Sequence, residues 1–272
     1  MRYGFRKFIA GLLPALLLAC AAGCGPLRSA NLLTTEQEVA LAADFDAQIL
    51  NDSTALRNHP AVDYVEDLTQ RLAAHCKRPD LTYHVKVLVS DDVNAFAQLG
   101  GYLYVNTGLI LAAESEAELA AVIAHEIAHV VGRHSAQTLT KQVGLELLAE
   151  AVSGGEDASD KRKILGGVLY LAGTGFMLKY SREDELEADA LAVQNLYDAG
   201  IDPFGMASFL GTLARMRGSA PSRLEVFLST HPAPHERVER ARALAERLPP
   251  LQAGGGDNRL RRAKAALRGS IR

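Results

Sequence analysis

The 272-residue chain carries 29 Lys and Arg against 32 Asp and Glu, a formal net charge of −3, and 48% of it is hydrophobic. That length can bury a full core in one or two domains. The near-balanced charge gives no support for a nucleic-acid partner or a strongly acidic one.

The N-terminus reads as a targeting segment, not as part of the fold. Arg2, Arg6 and Lys7 precede an apolar stretch over 8–19 that is too short to span a bilayer. It runs into Leu17-Leu18-Ala19-Cys20 and then Ala21-Ala22-Gly23-Cys24. Both resemble the bacterial lipobox, in which the cysteine is acylated and becomes the mature N-terminus. The first has the preferred Leu three residues before its cysteine, the second the favoured Gly just before it, so cleavage is expected before Cys20 or Cys24. If Cys20 carries the lipid, Cys24 and Cys76 are free to pair in an oxidising compartment; if Cys24 does, Cys76 stands alone. Neither Ala21 nor Gly25 is the Asp of an inner-membrane retention signal, which favours anchoring to the outer membrane, facing the periplasm.

Residues 1–24 are therefore assigned to a lipoprotein signal, 25–34 to a tether, 35–248 to the folded domain and 249–272 to a flexible linker and basic tail. Thr35 with Glu38 reads as a capping box opening a helix. After a break over 51–60, Val62, Val65, Leu68, Leu72 and Ala73 form the stripe of a second helix. Tyr83, Val85, Val87 and Val89 alternate with His84, Lys86 and Leu88, the period of a strand. Asn94-Ala95-Phe96-Ala97 leads through Gly100-Gly101 into Tyr102-Leu103-Tyr104-Val105, which predicts a hairpin. An edge strand at this place either pairs with extended substrate or only supports the helix that follows.

That helix, opened by a second capping box at Ser115 and Glu118, carries Ala124-His125-Glu126-Ile127-Ala128-His129. Histidines four apart on a helix share a face, and both imidazoles can then bind one Zn²⁺ at about 2.0–2.1 Å. Glu126 can reach a water on that ion and act as general base. The alternative, a core helix with satisfied histidines, needs a separate buried partner for each of three polar groups. Downstream, 135–152 reads as an amphipathic helix and 153–163 as a polar segment. Residues 164–178 are uncharged and Gly-rich. A core helix or a lid over a cleft is the preferred reading there, ahead of contact with the lipid surface and of a spanning helix.

A further helix starts near Ser181, and its Glu185 and Asp189 lie four apart on one face beside Ala188 and Ala192. One carboxylate can complete a tetrahedral site while the other accepts the free ring N–H of a ligating histidine. Glu187 lies on another face and is expected to be exposed.

H-E-x-x-H, then S-R-x-x-E-x-x-A-D on a later helix, then Thr230-His231-Pro232, resembles the gluzincin-type zinc metallopeptidases related to HtpX, the CAAX prenyl protease, BepA and LoiP. The likeness spans roughly residues 35–248. It implies an α+β, mostly helical, zincin-like domain with a small β-sheet beside the H-E-x-x-H helix. It also implies His125, His129 and Glu185 as ligands of one Zn²⁺ per chain, Glu126 as base and Asp189 as the acceptor behind a ligand. His231 matches a histidine near the metal that assists the reaction or blocks the open coordination position, and Arg237 an arginine that helps hold the oxyanion. His235 is read as an exposed loop residue, and His59, His75, His84 and His134 as structural or surface groups. The chain shows no spanning helices after its signal and no C-terminal helical repeats, so its compactness is similar to a lipoprotein of the LoiP kind.

The resulting expectation is a periplasm-facing zinc endopeptidase for unfolded or misfolded envelope proteins, attached to the membrane through its lipid and without nucleic-acid partners. One rival is a chaperone-like client-binding protein whose zinc site His231 blocks. Another is a hydrolase of small amides or cell-wall peptides, which a peptidoglycan-binding repeat would favour.

Overall fold

The computed structural model describes residues 31, 33–141, 179–219, 221–231, 235–251 and 256–270. The signal, both lipobox cysteines and the apolar 164–178 segment lie outside them. Helix α1 (Thr35–Asp52) and helix α2 (Pro60–Ala73) lead into strands β1 (His84–Leu88), β2 (Ala95–Ala97) and β3 (Tyr102–Asn106). The short α3 (Thr107–Ala112) then delivers the chain to α4 (Glu116–Val131), which holds the H-E-x-x-H motif. After the undescribed segment come α5 (Arg182–Asp198), α6 (Gly205–Ser219), α7 (Glu225–Thr230), α8 (His235–Ala245) and α9 (Asp257–Ser270).

The sheet has the order β1-β3-β2, with β1 parallel and β2 antiparallel to β3, and Phe96 opposite Tyr104. This is the expected hairpin. Its turn demands glycine: Gly100 and Gly101 take φ of 66° and 88°, and a Cβ on Gly101 would come within 2.5 Å of Thr82 O. Strand β2 is at an edge of the sheet and packs against α4.

Helix α4 is the hub. It packs against α2, α5, α6 and β2, and every residue from Leu119 to Val130 is buried. Small residues make this possible, because Ala120, Ala121, Ala124 and Ala128 let neighbouring backbones come close. Among the described residues no helix is long and apolar enough to cross a membrane.

Two local expectations are corrected. The first capping box is one residue earlier: Thr34 Oγ1 accepts from the Gln37 N–H at 3.3 Å and Gln37 Oε1 from the Thr34 N–H at 2.8 Å. Glu38 lies instead on the buried stripe with Ala42 and Phe45 and accepts from Arg133 Nε at 2.7 Å. Ser115 does cap α4, but Glu118 does not reach back to it. Glu118 accepts from the Glu114 N–H at 2.8 Å and from the Ser208 and Thr212 hydroxyls of α6 at 2.6 and 3.0 Å.

The largest correction concerns the tail. Residues 257–270, expected to be flexible, form α9, whose Leu260, Ala263 and Leu267 are buried at helical spacing against α2 and α3. Its first residue caps the metal-motif helix, Asp257 Oδ1 accepting from the Glu116 N–H at 2.9 Å. Exposed arginines alternate with this apolar stripe, and their charge hides it in the sequence. Cys76 is a half-buried free thiol 3.2 Å from the Tyr83 hydroxyl.

Candidate metal centre

One turn of α4 separates His125 from His129, and their Nε2 atoms stand 3.0 Å apart. Helix α5 crosses beside them. It is opened by Ser181 and Asp184, which cap one another's N–H, and Ala188 and Ala192, both fully buried, admit α4 at close range. This approach brings Glu185 over the pair, with Oε1 3.4 Å from His129 Nε2 and Oε2 3.5 Å from His125 Nε2. His231, at the C-terminal end of α7, brings Nδ1 to 2.9 Å from Glu185 Oε1 and 3.4 Å from His125 Nε2. The potential ligand atoms of these four residues lie within 4.8 Å of one another, and all four residues are buried.

These residues fit a zinc ion. Metal–ligand bonds of about 2.0–2.1 Å in a tetrahedron put neighbouring ligand atoms about 3.3–3.4 Å apart, close to the separations among His125, His129 and Glu185. The charge balance points the same way. Among the described residues, Glu126, Glu185 and Asp189 are buried with only Arg237 as a buried Lys or Arg beside them, a surplus of negative charge that a divalent ion offsets. Without an ion, the same field draws a proton onto His125. Burial opposes that proton, but hydrogen bonds to Asp189 and Glu185 outweigh it and raise the pKa to about 9. His129 goes the other way, driven well below its ordinary value by burial.

Behind the ligands the groups are paired. His125 Nδ1 is 3.0 Å from Asp189 Oδ1, within ion-pair distance, while its Nε2 faces the cluster. Burial would raise the Asp189 pKa, yet Arg237 and His125 hold it below the carboxylate range. Glu185 is depressed likewise, the three histidines outweighing its burial.

Glu126 points from α4 toward β2. Its Oε2 accepts the Ala97 N–H at 2.9 Å, and its buried Oε1 makes no hydrogen bond among the described residues. The closest cation-forming group to that oxygen is His231 Nε2, at 3.6 Å. Burial raises the Glu126 pKa, the direction that suits a proton acceptor working near neutrality.

His125, Glu126, His129, Glu185, Asp189 and His231, all singled out in the sequence, lie together in this buried region. Arg237 is close by but turned differently. Its Nε and Nη2 bind Asp189 at 2.7 Å each, and Nη1 lies 2.7 Å from Glu185 Oε2. It grips the carboxylates behind the histidines and does not present an open donor to an oxyanion. His235 is the first residue of α8, not a loop residue.

Two neighbours escaped the sequence reading. Tyr180 stacks on the His129 ring at 3.8 Å between centroids and hydrogen-bonds Ser135 through its hydroxyl. Its place one residue before the Ser181 cap was the only signal available. His134, expected to be structural or at the surface, is buried with Nδ1 2.9 Å from His129 Nδ1. Burial pushes its pKa below the ordinary imidazole value, against the pull of Asp184 and Glu187.

Residues 61–245 match peptidase family M48. The chain is 30% identical over 227 residues to the beta-barrel assembly-enhancing protease of Escherichia coli K12, covering 81% of this chain and 46% of that protein. It is 30% identical over 251 residues to the metalloprotease LoiP of the same organism, covering 86% and 96%. The mitochondrial metalloendopeptidase OMA1 of Schizosaccharomyces pombe is 28% identical over 228 residues, 83% and 65% of the two chains. The chain thus spans about half the length of the beta-barrel assembly-enhancing relatives it matches.

Proposed function

Because the chain belongs to peptidase family M48, we propose that it is a zinc-dependent endopeptidase of the cell envelope that cleaves misfolded envelope proteins. The observation that carries this is the buried cluster of His125, His129, Glu185 and His231 with the free Glu126 oxygen beside it. His125, His129 and Glu185 would hold the zinc. When bound, the ion supplies Lewis acidity, polarising a peptide carbonyl and lowering the pKa of water.

Glu126 would take the proton of the attacking water and pass it to the leaving amine. Its second oxygen stays on the Ala97 N–H, which fixes the carboxylate between helix and edge strand. To donate to the negative oxygen that develops on the substrate, His231 would carry a proton on Nε2, the nitrogen on the same side as the free Glu126 oxygen, in addition to the one it directs from Nδ1 to Glu185. Asp189 would orient His125, and Arg237 would keep Asp189 ionised and hold both Asp189 and Glu185 in place. The free β2 edge beside Glu126 suits an extended substrate, which would pair through its main chain with little regard to sequence.

The envelope location draws on the signal and lipobox of residues 1–24. Either Cys20 or Cys24 would carry the lipid and tether the domain to the outer membrane, facing the periplasm. The name of the beta-barrel assembly-enhancing relatives agrees with this setting.

One observation favours a second reading. His231 is itself within ligand distance of the cluster, as it would be if it occupied the fourth position and held the enzyme off while the cleft bound clients. Replacing His231 with Ala separates the two. Cleavage of unfolded casein falls if His231 assists and rises if it blocks. Comparing the envelope proteomes of cells carrying wild type and Glu126→Gln identifies the substrates. Identical proteomes would remove the assignment to misfolded envelope proteins.

A further inference from the structure

We propose that His134 is a positioning residue of the metal centre: it accepts the Nδ1 proton of His129 and thereby fixes the nitrogen that His129 turns toward the ion. The inference rests on the metallopeptidase reading above and concerns a residue outside the ligand set.

The chain is bent to put His134 there. Helix α4 ends at Gly132, and Arg133 then takes the left-handed φ of 56°, a conformation uncommon for a residue with a side chain. This reversal folds His134 back under the helix end. The fit is so close that a Cβ on Gly132 would stand 2.4 Å from His134 Nε2. Arg133 is held in turn by α1, through Glu38 Oε1 at 2.7 Å and the Leu33 carbonyl at 2.5 Å. A left-handed turn, a glycine and a half-buried ion pair all serve to deliver one imidazole.

The proton direction follows from what surrounds that imidazole. The Nδ1 atoms of His129 and His134 are 2.9 Å apart, so one donates and the other accepts. If His134 were the donor, the His129 proton would sit on Nε2, aimed at His125 Nε2 only 3.0 Å away, and no lone pair would remain for an ion. If His129 is the donor, the proton of His134 sits on Nε2, which faces Asp184 Oδ1 at 3.9 Å and Glu187 Oε2 at 3.8 Å. Two carboxylates favour that proton. The acidic start of α5 thus sets the tautomer of His134, and His134 sets that of His129.

The two metal histidines are then oriented by different chemistry. His125 leans on a carboxylate, which raises its basicity, and His129 on an imidazole, which adds no further negative charge to a buried site already rich in it. The residue after His134 completes the clamp, since Ser135 holds the hydroxyl of Tyr180 at 2.9 Å while the Tyr180 ring covers the face of His129.

The test uses the full chain with His134→Leu and His134→Gln. Zinc affinity is measured by chelator competition, the metal-free melting temperature is measured separately, and the visible spectrum is taken with Co²⁺ in place of zinc. Removing the acceptor with Leu is expected to weaken zinc binding about 10- to 100-fold. The metal-free melting temperature should hold in that variant and the Co²⁺ bands should move. Gln, whose Oε1 accepts the same proton, should recover most of the affinity and the wild-type bands. Unchanged affinity in the Leu variant overturns the proposal. So does an equal loss in Leu and Gln accompanied by a fall in metal-free stability, which marks a packing role. If the wild-type chain binds no zinc, the metallopeptidase reading falls and takes this inference with it.

Discussion

Arg237 grips Asp189 at two points, Nε on Oδ2 and Nη2 on Oδ1, each 2.7 Å long, with both residues buried. The third guanidinium nitrogen rests on Glu185, so a single cation from α8 steadies two carboxylates of α5. Breaking a buried pair by removing one partner leaves the other charge uncompensated, which costs about 3–5 kcal/mol. Arg237→Leu should therefore lower stability by that amount in denaturant titration and shed metal as well. A variant as stable as wild type would show that the pair holds nothing together.

Glu126→Gln separates the chemistry from the fold. The Gln Oε1 can still accept the Ala97 N–H, so the melting temperature and zinc content should match wild type. Hydrolysis of casein should drop about 10²- to 10⁴-fold, the contribution of a positioned acid–base group. Substantial residual turnover would move the proton-transfer role to another residue.

Metal removal is expected to destabilise the chain, because an ion that binds only the folded form adds to its stability, by about 2.7 kcal/mol at a hundred times the dissociation constant. Melting curves with and without chelator check this in wild type. In Glu185→Ala, which lacks a carboxylate facing both His125 and His129, the chelator should shift nothing.

The metal-free protein should show a pH window. His125 is raised from 6.5 to about 9 in the fold, so its contribution to stability is complete below about 6.5 and is lost as pH climbs through 9. Glu185 and Asp189 are depressed, so theirs is present above the ordinary carboxylate range and is lost as pH falls below it. Urea midpoints of the chelated protein across this range should peak near neutrality. A midpoint still rising toward alkaline pH would contradict the shift on His125.

Helix α9 is expected to be essential to the fold. Leu267 is fully buried, and Leu→Ala at such a site costs about 2–5 kcal/mol. The loss should appear in thermal unfolding of Leu267→Ala, with no change if α9 only rests on the surface.

The metal motif was legible in sequence because H-E-x-x-H and the Glu185–Asp189 spacing each lie within one helix, where chain separation dictates direction. The hairpin was legible for the same local reason, with Gly100 and Gly101 marking its turn. What escaped depends on relations that spacing does not encode. His134 reaches His129 only because Arg133 is left-handed, and nothing in the chemistry of an arginine announces that. Arg237 was placed near the centre through family resemblance, but whether its donors face substrate or Asp189 depends on how α8 packs against α5. The apolar stripe of α9 was present in the sequence as Leu260, Ala263 and Leu267, and its many arginines disguised it as a tail.

The parts of the centre are far apart along the chain: His231 meets His125 across 106 residues. A nascent polypeptide that has emerged only as far as His129 has two imidazoles and a glutamate with no counter-groups from α5, α7 or α8 to enclose a metal ion. The proposed hydrolytic site is thus expected to form only once these distant segments dock.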